Sequence, residues 1–157
     1  MGSRTSFPRT GEYNARDPVG LTLTFVEWIN LHDVDNLTAL MSPDHRLVDG
    51  LGVTIQGGDD LRRAWAGYFE MFPDYRIELK DIIAAGETVG IFGTAHGTYA
   101  RAGRLRAENG WSVPLACRAR IRDGMVAEWQ VYADNEPVRK IIMNAGHTHP
   151  SDRSNQE

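Results

Sequence analysis

Asp134 closes an apolar stretch that runs from Met125 to Tyr132. A carboxylate at the end of such a strand, facing a pocket, loses hydration, and its pKa rises toward general-base strength. The same residue stands just before Asn135-Glu136-Pro137 and so also reads as a helix N-cap. His96, inside the stretch Val89 to Tyr99, carries an imidazole able to share a proton with Asp134 near neutral pH. A lone strand histidine is otherwise a hydrogen-bonded structural residue. Asp49 directly precedes Gly50, which is a turn placement. Cys117 belongs to the apolar set Val113, Leu115, Cys117, Ala119 and Ile121, and reads as a packed thiol. His147 and His149 fall in a wholly polar tail with no third ligand nearby, and no His-x-x-x-His, Cys-x-x-Cys or paired-carboxylate pattern occurs. No metal or organic cofactor is therefore expected.

The elements that must position these groups follow from periodicity. Leu21, Phe25, Trp28, Ile29 and His32 mark one helical face, and Asp35 to Met41 continues the pattern through Leu37, Leu40 and Met41. His45 to Val53 reads as a short strand pair broken by Gly50 and Gly52. Leu61, Ala64, Trp65, Tyr68, Phe69 and Phe72 predict a further helix, with Asp59 or Asp60 at its positive start and Pro73 ending it. From Tyr75 the period becomes two. Strands are predicted at about 75–85, 87–100, 111–122 and 125–134, with the Arg/Gly-rich 102–110 as one separator, then a helix from Glu136-Pro137 to about Asn144. Helices first and an antiparallel meander after give an α+β layout, with helices packed against one face of a curved sheet. Gly86, Gly90, Gly93 and Gly97 lie in or beside strands, where glycine marks a bend or a close approach. Their spacing is not that of a phosphate loop.

The 157 residues, 41% apolar and 24% charged, suit one domain with a sizeable core. Residues 1–18 and 145–157 read as flexible ends around a domain at 19–144. Seventeen basic against twenty-one acidic residues, net −4, supply no footprint for nucleic acid or an anionic membrane. A single cysteine, no long apolar run and no apolar leader in the first twenty residues point to a cytoplasmic protein.

Together the segment HDVDNLTALM, the strand ending Val48-Asp49-Gly50, the helix from Gly57 to Phe72-Pro73-Asp74, the strand GTAHGTY, and Asp123-Gly124 through Glu128-Trp129 to Asp134 resemble the SnoaL-like branch of the nuclear transport factor 2-like superfamily, over residues 19–144. The resemblance implies a cone-shaped α+β barrel, homodimeric through the outer sheet face, holding a mostly apolar cavity. Asp134 falls where SnoaL-like cyclases carry their catalytic carboxylate and limonene epoxide hydrolases an aspartate of their triad. His96 falls where those hydrolases place another triad carboxylate, and Asp49 where ketosteroid isomerases keep their proton-abstracting aspartate. Departures are plain. Phe25 replaces the isomerases' first-helix tyrosine, Cys117 stands near their protonated aspartate, and Thr94 replaces an arginine of the hydrolases. Without two donors an enolate has no oxyanion hole, which disfavours classical steroid isomerisation.

The resulting expectation is a cofactor-independent cyclase or isomerase acting by acid/base chemistry on a small hydrophobic carbonyl compound. Asp134, His96 and Asp49 are its catalytic candidates. Trp65, Phe69, Phe92, Tyr132, Gln130 and Arg118 are candidates for lining the cavity. If Asp134 faces inward, alternation puts Gln130 and Tyr132 on its side and leaves Trp129 and Val131 for a dimer face, an assignment that a bulge would invert. Alternatives are a non-catalytic dimeric binding or scaffold domain, and a hydrolase of the limonene epoxide type.

Overall fold

The computed structural model describes residues 16–146. In chain order the elements are α1 (Pro18–Asn30), α2 (Val34–Ala39), β1 (Met41–Val48), β2 (Thr54–Gln56), α3 (Gly58–Met71), β3 (Arg76–Ala85), β4 (Thr88–Arg101), β5 (Arg104–Arg122), β6 (Met125–Tyr132) and α4 (Glu136–Gly146). One six-stranded sheet runs β2-β1-β6-β5-β4-β3. Strands β3 to β6 form the expected antiparallel meander, and β1 adds to it parallel to β6. Helices and sheet together make the α+β cone.

Several boundaries differ from the periodicity, and β2 (Thr54–Gln56) lies just beyond the strand pair expected at 45–53. Met41 opens β1 instead of closing α2. Residues 104–110, expected as a loop, extend β5, so β4 and β5 meet through a two-residue turn at Ala102 and Gly103 with φ of 50° and 72°. This positive-φ pair suits a tight hairpin. The ribbon is solvated on both sides here, so its residues carry no alternation for a sequence reading to detect.

Alternation along the meander separates two faces. Ile77, Val89, Ile91, Ala95, Val113, Leu115, Cys117, Ala119 and Ile121 point to the inside, where α1 and α3 contribute Leu21, Phe25, Ile29, Leu61, Trp65 and Phe69. Burying such a side chain contributes roughly 1.5–3 kcal/mol, so this interior carries most of the stability. Proline at the first position of α1 leaves no helix hydrogen bond unmade. Asn30, at the end of α1, clamps the helix to β3: its amide donates to the Ile77 carbonyl and accepts from the Ile77 N–H, at 3.0 and 2.7 Å. Curvature rests on two glycines. A Cβ at Gly93 would lie 2.0 Å from the Glu78 carbonyl oxygen, beside the bulge between β3 and β4, and one at Gly97 would lie 2.7 Å from the Trp111 ring. Any side chain at either position would push the sheet open.

Candidate functional site

Ring contacts gather the aromatic side chains into two groups, one of Tyr68, Phe72, Tyr75, Tyr99 and Trp111, and one inside the cone centred on Phe25. Trp129 packs on it at 4.8 Å between ring centroids, His45 at 6.1 Å and Trp65 at 6.4 Å, while Phe69 joins Trp65 at 5.6 Å and stacks on His32 at 4.1 Å. Edge-on and tilted contacts of this kind hold the rings in fixed orientations.

Two polar atoms in this cluster lack partners among the described residues. His45, only 1% exposed, places Nδ1 2.6 Å from the Val126 carbonyl oxygen. A carbonyl only accepts, so Nδ1 carries the hydrogen, and in the neutral ring Nε2 holds a lone pair. That Nε2 is buried and makes no hydrogen bond. Burial holds the His45 pKa below its ordinary 6.5, against the pull of the Val126 carbonyl and of Glu128. Trp65, 6% exposed, buries an indole N–H that is equally unpartnered. An orphaned acceptor and an orphaned donor thus flank the same phenylalanine. Buried polar atoms are nearly always paired, so each exception calls for an explanation, such as a water, a bound group or a catalytic role.

The sequence candidates lie elsewhere and do not converge. Asp49 Oδ1 accepts from the Leu51 and Val53 N–H groups, both at 2.9 Å, and so holds the loop between β1 and β2. Asp134 Oδ1 accepts from the Glu136 N–H at 3.0 Å and closes the turn into α4. His96 stands on the outer sheet face. Its Nδ1 is 3.0 Å from Ser112 Oγ, and Glu78 Oε2 lies 3.3 Å from Nε2, an ion-pair separation without hydrogen-bond alignment. Among the described residues no hydrogen bond joins any two of the three.

The cavity-lining candidates divide across the sheet. Trp65 and Phe69 are inside. Phe92, Arg118, Gln130 and Tyr132 are on the outer face; for Gln130 and Tyr132 the reason lies in β6. Ile121 pairs with Val126 but Arg120 pairs with Glu128, so Ala127 is an extra residue. Beyond that bulge Trp129 is 1% exposed and Val131 packs on the core, which removes both from the dimer face expected for them. Phe92, Ala116 and Tyr132 are registered neighbours on the outside, with the two rings 44% and 49% exposed. With Lys80, Asp81, Pro114 and Asp134 they line an open depression of about 530 Å³.

Arg118 is engaged with side chains of its own sheet face. It donates to Glu128 at 2.9 Å and to Gln130 at 2.8 Å, and Arg46 and Arg120 approach the same Glu128 carboxylate at 3.5 and 3.6 Å. Cys117 is fully enclosed, and burial pushes its thiol far above the ordinary value, in keeping with a packed side chain. No group of three or more His, Cys, Asp or Glu among the described residues could hold a metal ion, and His147 and His149 lie outside those residues. No described helix is long and apolar enough to cross a membrane.

His45 is the residue that sequence reasoning passed over. Pro43, Asp44 and Arg46 surround it and give the segment a surface appearance. Its one signal is that it stands two residues before Leu47 and four after Met41, in the inward set of β1.

Comparison with known proteins agrees with this architecture. Residues 23–129 match the SnoaL-like domain, and the chain belongs to that family. Similar solved structures include a candidate SnoaL-like polyketide cyclase from Shewanella putrefaciens, at 15% identity and TM-score 0.72, covering 92% of this chain and 99% of that one. A protein of ketosteroid isomerase-like fold from Catenulispora acidiphila, crystallised with trimethylamine, shares 20% identity at TM-score 0.68, covering 82% and 97%. TerC, co-crystallised with polyporic acid, shares 19% identity at TM-score 0.67, covering 80% and 98%. No protein of curated function matches the sequence.

Proposed function

We propose that this SnoaL-like protein holds a small, mostly apolar molecule against the aromatic cluster inside its cone, through a hydroxyl or carbonyl group of that molecule, and moves a proton at His45 without a cofactor. The observation that carries this reading is the pair of buried, unpartnered atoms on either side of Phe25, His45 Nε2 and Trp65 Nε1. Ligand sites of this kind are apolar with a few placed polar groups. A hydroxyl can donate to the first atom and a carbonyl or hydroxyl oxygen can accept from the second. Because His45 is neutral and its tautomer is fixed by Val126, Nε2 faces the ligand as a base. Asp49 and Asp134 each hold a local turn, and His96 stands on the outer sheet face beside Ser112, away from the aromatic cluster, so the acid/base role moves to His45. TerC, a fold relative, was crystallised with the aromatic compound polyporic acid, in line with a site of this character.

Equilibrium dialysis against 1-naphthol and naphthalene tests it. Naphthol is expected to bind about tenfold more tightly, the worth of a hydrogen bond to a buried group. His45→Phe should abolish that preference while keeping affinity for naphthalene. Equal binding of the two compounds, or a preference that survives in His45→Phe, sinks the reading.

A second reading, a dimeric binding domain without turnover, draws on the half-exposed Phe92 and Tyr132 on the outer sheet face. Solvated aromatics side by side on a sheet are the kind of surface that a second copy covers.

A further inference from the structure

The hairpin joining β4 and β5 departs from the way the rest of the chain handles its arginines. Among the described residues, nine arginines lie within salt-bridge distance of a carboxylate, including Arg62 on Asp35, Arg118 on Glu128 and Arg139 on Glu136. Among the described residues the side chains of Arg101 and Arg104 reach no carboxylate and form no hydrogen bond. They are also direct cross-strand partners, the last registered pair before the Ala102–Gly103 turn. Registered residues of an antiparallel pair share a face, and like charges placed so oppose folding. Arg106, two residues beyond Arg104, lies on the same face, and its contact to Glu108 is a loose 3.7 Å. Three guanidinium groups are therefore gathered within one hairpin end of a chain whose net charge is −4. The tight turn holds the first two side by side, and each presents a planar fork of donors.

We propose that Arg101 and Arg104 form a clamp for a phosphoryl group, with Arg106 as a third donor. Two adjacent guanidinium forks match the oxygens of a tetrahedral dianion, and binding one turns the unfavourable like-charge pair into a favourable contact. The site is remote from the cone interior and takes a group of opposite chemical character. A phosphate compound in solution and a phosphate lipid headgroup both carry the group in question.

The test uses the full chain with arginine side chains labelled for NMR. Inorganic pyrophosphate is added at constant ionic strength, with sodium chloride as the balancing salt. The side-chain N–H signals of Arg101 and Arg104 should shift saturably, while that of Arg62, exposed but paired, stays within the chloride control. The double variant Arg101→Gln/Arg104→Gln should bind at least about tenfold more weakly, since both charge-assisted contacts are lost. Sedimentation with phosphatidic acid vesicles, against phosphatidylcholine alone, then separates the sources. Co-sedimentation lost in the double variant assigns a headgroup, and pyrophosphate binding without co-sedimentation assigns a soluble phosphate. Shifts no larger than those from chloride, equal shifts at Arg62, or an unchanged affinity in the double variant would overturn the proposal.

Discussion

Along β4, β5 and β6 successive residues alternate between two environments that treat polar atoms in opposite ways. Outside, they are numerous and mostly paired: Glu128 gathers three arginines and Asp74 takes both the Thr98 N–H and its hydroxyl, while His96 Nε2 and Arg118 Nε make no hydrogen bond among the described residues. Inside, they are few, and those of His45 and Trp65 beside Phe25, like the indole N–H of Trp111, are left open among the described residues. The solvent-exposed pairs on this face contribute little stability and are screened by salt, whereas Glu128, only 8% exposed, is a buried carboxylate that its arginines neutralise. A buried orphan costs roughly 1–3 kcal/mol and persists only if something offsets it. A functional residue is therefore better sought among atoms that have no partner than among residue types that can do chemistry.

That contrast can be broken at three places, in descending order of effect. Trp129→Ala removes the largest fully buried side chain, and should lower the unfolding free energy in urea by about 3–5 kcal/mol. A loss under about 1 kcal/mol would mean that the interior is loosely packed. Next comes His45. Its folded pKa lies below the unfolded value of 6.5, so below that pH the unfolded chain binds more protons and stability falls as the solution is acidified. Unfolding curves at pH 7 and pH 5 should show this loss, and His45→Phe should flatten it. A wild-type slope in the variant would assign the effect to another group. Smallest in stability is Tyr132→Lys on the outer face, expected to change it by no more than about 0.5 kcal/mol. If the outer face pairs two copies, that same charge should convert dimer to monomer in sedimentation velocity. An unchanged sedimentation coefficient would remove Tyr132 from any such interface.

Legibility in the sequence follows the same division. Helix α3 is plain because Leu61, Trp65 and Phe69 recur at helical spacing over charged neighbours, and the meander because long runs of β4 and β5, such as Val113 to Ile121, alternate across one buried face. The partner of β1 is not, since parallel pairing to β6 depends on contacts remote in sequence that no local period records. The faces of β6 were lost to one extra residue, Ala127, which inverts every assignment on one side of it. Both plain readings of the aspartates, a turn for Asp49 and a helix start for Asp134, describe the contacts that these side chains make. Their residue types suggested chemistry, but Gly50 and the run Asn135-Glu136-Pro137 carried the local geometry. His45 was hidden because a strand interrupted by Pro43 and flanked by Asp44 and Arg46 has no visible apolar face.

The parallel seam between β1 and β6 also sets an order of events. Arg46, Leu47 and Val48 find their partners in Glu128, Trp129 and Gln130, on the last strand of the sheet to be synthesised. Until then β1 has only the three-residue β2 beside it, and the other edge of β1 is an unpaired row of backbone donors and acceptors. Contacts so distant along the chain slow folding, and they leave the half-made sheet open to wrong pairings while the ribosome completes it. In a growing chain the cone stays open along this seam, and the surroundings of His45 are complete only when β6 arrives and the Val126 carbonyl meets the imidazole.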